Sequence, residues 1–340
     1  MSQDNSFGDG VTRRALVAAA TAVAAATAGT IGIASGGPAS AQRLPTPPRV
    51  KGPLVWLDMD QQDLDDAYDQ IVYAPNQPNI TERRNWNSEK ARAVLGEPTR
   101  LSYGAAEIEK IEVYKAKRAN AAVAIFLHGG AWRGGRAAQN AFMAENFVKA
   151  GAHFAAVDFN NVGETGGDIF PMVDQCRRAV AWTYKNAKSF GGDPEKIYLL
   201  GHSSGAHLGG CVLISDWAKL AVPANVIKGA LLGSGMYDLK PVRLSKRADY
   251  IKFTDAMEQE LSTQRHPERI YTPLVLTHGS LETPEFQRQT REFHAALVAA
   301  GKPAQLIVGR GYNHYETQET LGSPYGFMGR AALELMKLAT

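Results

Sequence analysis

From about Lys110 onward, short runs of aliphatic and β-branched residues alternate with longer segments of helical period. The runs 111–114, 122–127, 153–158, 197–200, 229–232, 274–277 and 305–308 predict strands. Between them apolar positions gather on one helical face, as with Phe286, Phe293 and Leu297, spaced seven and four apart. Strands that alternate with helices predict an α/β fold with a mainly parallel central sheet and helices on both faces, because parallel neighbours need crossover connections. Functional side chains are then expected in the loops beyond the C-terminal ends of the strands.

Two stretches stand outside this alternation. Residues 42–104 read as short helices and loops, including 64–71 and 88–94, and predict an N-terminal helical extension packed over the domain. Residues 239–268 are charged, carry no strand signal and form a candidate small lid.

The first 41 residues have a different character. Arg13 and Arg14 precede a weakly hydrophobic stretch, 15–34, built mostly of Ala, Thr and Gly. A membrane span needs about 20 strongly apolar residues, so no stable span is expected there. Paired arginines followed by Ala39-Ser40-Ala41, a small-x-small cleavage site, predict a twin-arginine signal peptide over 1–41. The mature chain, 42–340, would leave through the twin-arginine export machinery and be periplasmic or secreted.

Composition narrows the partners. A chain of 340 residues with 44% apolar content can bury a large core without disulfide staples. Its two cysteines, Cys176 and Cys211, lie on apolar helical stripes, which predicts buried thiols, although an exported chain could bridge them. The net charge is only +3, with no basic run of five, so nucleic acid is not expected as a partner.

The chemistry centres on Gly201-His202-Ser203-Ser204-Gly205, which follows the strand 197–200 and opens an apolar-periodic helix. A serine on such a strand-to-helix turn is pushed out at the sheet edge, and the helix N-terminus behind it favours developing negative charge. Ser203 is therefore the candidate nucleophile. His128-Gly129-Gly130-Ala131-Trp132 follows the strand 122–127, and the backbone N–H groups of Gly129, Gly130 and Ser204 form the candidate oxyanion hole. His128 is expected to brace this loop and not to carry protons.

Position selects the general base among eight histidines. In this arrangement the chain order is Ser, acid, His, and only His314 lies just past the last strand, in Gly311-Tyr312-Asn313-His314-Tyr315. The loop after 274–277 offers Glu282 and Glu285 as the acid. Glu282 lies in the loop proper and is favoured; Glu285 follows Pro284 and reads as a charge at a helix start, with Asp238 in reserve. Trp132, Phe159, Tyr237 and Tyr315 fall in or beside loops at this edge and are expected to line a pocket for a bulky or aromatic substrate. No HExxH pattern and no dinucleotide fingerprint occurs, so no metal and no cofactor is expected.

These residues resemble the kynurenine formamidase-like branch of the α/β-hydrolases, close to the hormone-sensitive-lipase group. The likeness rests on Asp65-Asp66-Ala67-Tyr68-Asp69, Leu101-Ser102-Tyr103-Gly104, the HGGAW run at 128–132, Trp182, Gly191-Gly192-Asp193-Pro194, the GHSSGAHL run at 201–208, Tyr237-Asp238-Leu239 and Pro284-Glu285-Phe286. It spans roughly 60–335 and implies an α/β-hydrolase fold. In that family an aspartate usually stands where this chain has Glu282. The expected reaction is cleavage of a small, aromatic or otherwise bulky carboxylic ester by a serine esterase through an acyl-enzyme, with aryl-formamide or aryl-amide hydrolysis as the alternative that the resemblance implies.

Overall fold

All seven predicted strand runs are strands, and each extends by a residue or more at one or both ends except the third, which stops at Val157. The computed structural model describes residues 49–338. The signal peptide expected over 1–41, with its cleavage site, thus lies outside the described residues. A short hairpin, β1 (Leu54–Trp56) and β2 (Met59–Asp60), comes first. The central sheet comprises β3 (Thr99–Ser102), β4 (Lys110–Tyr114), β5 (Ala121–Leu127), β6 (His153–Val157), β7 (Gly192–His202), β8 (Ile227–Gly233), β9 (Leu274–Gly279) and β10 (Ala304–Gly309). Its spatial order is β10-β9-β8-β7-β5-β6-β4-β3.

Strands β5 to β10 run parallel, whereas β4 is antiparallel to β6 and β3 to β4. From β5 the chain adds β6 on one side and β7 on the other. Such a reversal opens a crevice beyond the strands' C-terminal ends, where the crossovers leave in opposite directions. Ser203 follows β7 at that point, and His128 follows β5.

The sheet is covered on both faces because its strands are apolar on both. In β5, Val123, Ile125 and Leu127 enter one core, and Ala122, Ala124 and Phe126 the other. Helices Phe170–Asn186, Ser204–Leu213 and Pro284–Ala299 close the first face through Val173, Cys176, Val180, Leu208, Val212, Phe286 and Phe293. Helix Phe327–Leu335 and the turn Ala144–Lys149 close the second through Met328, Ala332 and Phe147. Each fully buried side chain of this kind is worth about 1.5–3 kcal/mol relative to exposure.

The N-terminal extension differs from expectation. It holds helices Gln61–Ala67, Gln70–Tyr73 and Gln77–Leu95, and it contributes β3 as an edge strand. The 19-residue helix Gln77–Leu95 buries only Ile80, Ser88 and Ala91. It is fastened by polar contacts, with Ser88 Oγ donating to the Gln139 carbonyl, Arg92 to the Ala138 carbonyl, and Arg83 paired with Glu319. A helix held this way shows no apolar stripe, so periodicity finds only its end. Residues 239–268 form helices Leu239–Leu244 and Asp255–Leu261 with short 3₁₀ turns, and they sink Leu239, Val242, Met257 and Leu261 into the first core.

Candidate active site

Ser203 sits between β7 and helix Ser204–Leu213 with φ 58° and ψ −128°, a backbone conformation that non-glycine residues rarely adopt. Such strain costs on the order of 1–3 kcal/mol and must be held by its surroundings. The Ser203 N–H donates to the Gly233 carbonyl at 2.9 Å, tying the turn to β8. Helix Ser204–Leu213 lies against β5 so closely that a Cβ on Gly205 would stand 2.1 Å from the Leu127 carbonyl oxygen. Only glycine fits there.

His314 Nε2 lies 2.9 Å from Ser203 Oγ, and His314 Nδ1 lies 2.8 Å from Glu282 Oε2. His314 is the first residue of helix His314–Glu319. Asn313 caps that helix by accepting from the N–H groups of Tyr315 and Glu316, and Glu316 returns a bond to the Asn313 N–H. His314 is therefore fixed by a capping box, which satisfies helix donors that would otherwise have no partner.

Glu282 is fully buried. Its Oε1 accepts from Ser234 Oγ and from the Gly279 N–H, both at 2.6 Å. Burial pushes its carboxyl up, but the charge and hydrogen bond of His314 and the bonds from Ser234 and Gly279 outweigh this and hold it below the ordinary value. Sequence reasoning missed Ser234. Its signal was a Gly233-Ser234-Gly235 turn at the catalytic end of β8.

The loop after β5 carries three successive positive-φ residues, Gly130 (119°), Ala131 (56°) and Trp132 (60°). At Gly130 a Cβ would meet the Gly134 carbonyl at 2.4 Å. The Trp132 N–H donates to Ser204 Oγ at 3.2 Å, which pins the loop beside the nucleophile turn. No backbone bond of the turns among the described residues uses the N–H of Gly129 or Gly130, and Ser204 opens its helix, so its N–H is one that a helix leaves unpaired.

Two more histidines frame the site without taking part in the Ser203 to Glu282 chain. His128 donates from Nδ1 to the Gly129 carbonyl at 2.9 Å and stacks on Phe159 at 4.2 Å between ring centres. His202 lies 4.6 Å from the His314 ring. Burial lowers both, His202 well below the ordinary range, with the nearby His314 charge adding to its shift.

A cavity of about 750 Å³ opens over Ser203 and His314. Tyr315 lines it as expected, but Trp132, Phe159 and Tyr237 do not. Trp132 is 1% exposed and turns inward, its indole N–H donating to His207 Nδ1 at 3.2 Å. Phe159 is spent on stacking His128, and Tyr237 is fully buried against Phe293 at 4.5 Å. The His207 ring, edge-on to the indole at 5.1 Å between centres, holds Trp132 inward. The aromatic walls are instead Tyr68, Tyr250 and Tyr315, two of them from the segments outside the strand and helix alternation.

The remaining acidic candidates are engaged elsewhere. Glu285 is fully buried, accepts from Arg288 on both oxygens at 2.7 Å and from Tyr68 Oη at 3.0 Å, and so anchors the N-terminal extension. It is more than a helix-end charge. Asp238 caps helix Leu239–Leu244 and pairs with Arg265 at 3.0 Å. Cys176 and Cys211 are buried free thiols, and burial pushes Cys211 up to about 12 and Cys176 up as well. Among the described residues no cluster of three His, Cys, Asp or Glu side chains is placed to hold a metal, and no helix is long and apolar enough to cross a membrane.

Comparison with known proteins agrees with this architecture. The family model described as BD-FAE matches residues 111–219. Kynurenine formamidase of Danio rerio is 30% identical over 264 residues, which cover 72% of this chain and 86% of that protein. Isoprenylcysteine alpha-carbonyl methylesterase ICME of Arabidopsis thaliana is 28% identical over 214 residues, or 56% of this chain and 50% of its own length. Among solved structures, esterase LipW from Mycobacterium marinum superposes with a TM-score of 0.62 at 16% identity, covering 77% of this chain and 89% of that one. At that identity the likeness speaks to the fold alone.

Proposed function

The chain belongs to the kynurenine formamidase-like branch of the α/β-hydrolases, and from that premise we propose that it is a serine hydrolase that cleaves a small carboxylic ester through an acyl-enzyme. The observation that carries this reading is the unbroken chain from Ser203 Oγ through His314 to Glu282, at 2.9 and 2.8 Å. His314 Nε2 takes the hydroxyl proton as Ser203 Oγ attacks the carbonyl carbon. The oxygen that gains charge is met by the N–H groups of Gly129, Gly130 and Ser204, and one such donor is worth about 2.7–4 kcal/mol in barrier lowering. Collapse breaks the bond to the leaving alcohol, which receives the proton from His314. Water, deprotonated by the same imidazole, then releases the acid and restores Ser203. Glu282 stays ionised throughout and stabilises the imidazolium.

A second reading, hydrolysis of an aryl formamide or other aryl amide by the same steps, is favoured by the similarity to the zebrafish kynurenine formamidase over most of its length. The walls formed by Tyr68, Tyr250 and Tyr315 support an aromatic group in either case. A fluorophosphonate probe is expected to label Ser203 in the folded protein, and Ser203→Ala to abolish labelling. Labelling of Ser204, or of nothing, would overturn the assignment. A panel of acyl esters, aryl esters and N-formyl anilines separates the two readings, since preference for the formamides over every ester would establish the second. We also propose export to the periplasm or beyond with cleavage near Ala41. N-terminal sequencing of the exported protein should find Gln42 or a close neighbour, and Arg13→Lys with Arg14→Lys should block export.

A further inference from the structure

Basic side chains outnumber acidic ones in the lining of the cavity over Ser203, four to two. Arg84, Arg133, Lys246 and Arg247 line it against Asp69 and Asp249. Lys246 is matched by Asp69 at 2.7 Å, and Arg133 and Asp249 are exposed to solvent. Arg247 is buried and Arg84 partly buried, and neither has a carboxylate within ion-pair distance among the described residues, although the charge of Glu319 acts on Arg84 from farther off.

Arg84, on helix Gln77–Leu95, donates to the neutral carboxamide of Gln318. Burial lowers it below its ordinary value. Arg247 is 6% exposed. Its Nη1 donates to Tyr250 Oη and its Nη2 to the Tyr68 carbonyl, each at 2.8 Å, while its Nε is buried with no hydrogen-bond partner. The charges of both arginines bear on Tyr315, and that of Arg84 bears on His202 next to the nucleophile. Both guanidinium groups line the cavity that holds Ser203 and His314, Arg84 beside Gln318 on the helix that His314 opens and Arg247 between the rings of Tyr68 and Trp132, at 5.9 and 5.7 Å.

A buried cation without a counter-ion is costly, and such groups are ordinarily paired. Guanidinium is also the side chain best suited to the two in-plane oxygens of a carboxylate. We propose that Arg84 and Arg247 form a subsite for a carboxylate carried by the substrate, so that the enzyme selects esters or amides bearing a free carboxylate near the scissile acyl group. The inference rests on the hydrolase reading above and adds a substrate class to it. Both arginines come from segments outside the strand and helix alternation, so this selectivity is separate from the residues that perform bond cleavage.

The test uses matched substrate pairs. 4-Nitrophenyl hydrogen glutarate is compared with methyl 4-nitrophenyl glutarate, and 3-acetoxybenzoate with its methyl ester, which places the charge on the acyl or on the leaving side. In wild type the charged member of at least one pair should have the higher kcat/KM, by about tenfold or more, as expected for a hydrogen bond between charged groups. Arg84→Gln should bring that ratio near one, Arg84→Lys should keep part of it, and Arg247→Lys should reduce it. A wild-type ratio at or below one in both pairs, or an Arg84→Gln protein that loses both members equally and keeps the ratio, would overturn the proposal. If neither pair is cleaved, the ester reading fails, and binding still decides the subsite. Millimolar benzoate should then raise the melting temperature more than benzamide does in wild type and not in Arg84→Gln. Equal shifts from the two compounds would refute it.

Discussion

Glu282 places one carboxylate oxygen 2.8 Å from His314 Nδ1 while Ser234 and the Gly279 N–H hold the other. The acid is thus oriented from both ends, and its negative charge is fixed where an imidazolium would form. Replacing it should damage the transition state more than substrate binding. Glu282→Gln is expected to lower kcat by roughly 10²–10⁴ with little change in KM. Steady-state kinetics on a 4-nitrophenyl ester decide this, and a near-wild-type Glu282→Gln enzyme would remove Glu282 from the mechanism.

Ser234 acts through Glu282, so its loss should have a pH signature. The folded carboxyl is held below its ordinary value, so the stability it contributes is complete above the unfolded value and is lost as pH falls through the folded one. Ser234→Ala removes a bond that favours the ionised form and raises the folded value. The stability gap between wild type and Ser234→Ala should therefore be full near neutral pH and shrink below about pH 4.5. Denaturant melts across that range test it, and a constant gap would mean that Ser234 serves only in packing.

Glu285 makes a contrasting pair with Glu282, three positions away. Its Arg288 and Tyr68 contacts are structural, and removing one partner of a buried pair costs about 3–5 kcal/mol. Glu285→Gln should lower the melting temperature clearly yet leave kcat, measured well below the melt, within a few-fold of wild type. A stable protein with collapsed kcat would instead move the acid role to Glu285.

His207 is expected to make the domain sensitive to mild acid. Its Nδ1 accepts from Trp132, its Nε2 donates to the Leu261 carbonyl, and burial lowers it to about 4. Between pH 6.5 and 4 the unfolded chain binds a proton here that the folded one refuses, so stability falls as pH falls. The loss from this group alone is roughly 3 kcal/mol over that interval. His207→Gln should flatten the decline seen in unfolding curves between pH 7 and 4, and an unchanged slope would assign it to other groups.

The turn at Ser203, the glycine loop at 128–132 and the place of His314 beside Ser203 were legible because each is written in a continuous stretch of chain, a strand followed by a turn. The pocket was not. Trp132 and Tyr237 lie beside catalytic loops in sequence, but the direction of a side chain depends on backbone angles and neighbours that no local pattern encodes. The rings of His207 and Phe293 hold Trp132 and Tyr237 inward. The actual walls, Tyr68, Arg84, Arg247 and Tyr250, come from segments far apart in sequence, and of these only Tyr68 lies in a motif, the run Asp65-Asp66-Ala67-Tyr68-Asp69. Glu285 was read as a helix-end charge because its Tyr68 partner lies 217 positions away.

Helix Gln77–Leu95 is joined to the domain almost entirely by polar groups, with three buried residues in 19. Water can replace such contacts at little net cost, whereas it cannot replace an apolar core. The helix is therefore a cooperative unit whose opening free energy lies well below that of the sheet, and its amides should be among the first to exchange with solvent. Access to Ser203 need not require the whole domain to breathe, because one side of its cavity rests on a helix held mainly by polar contacts.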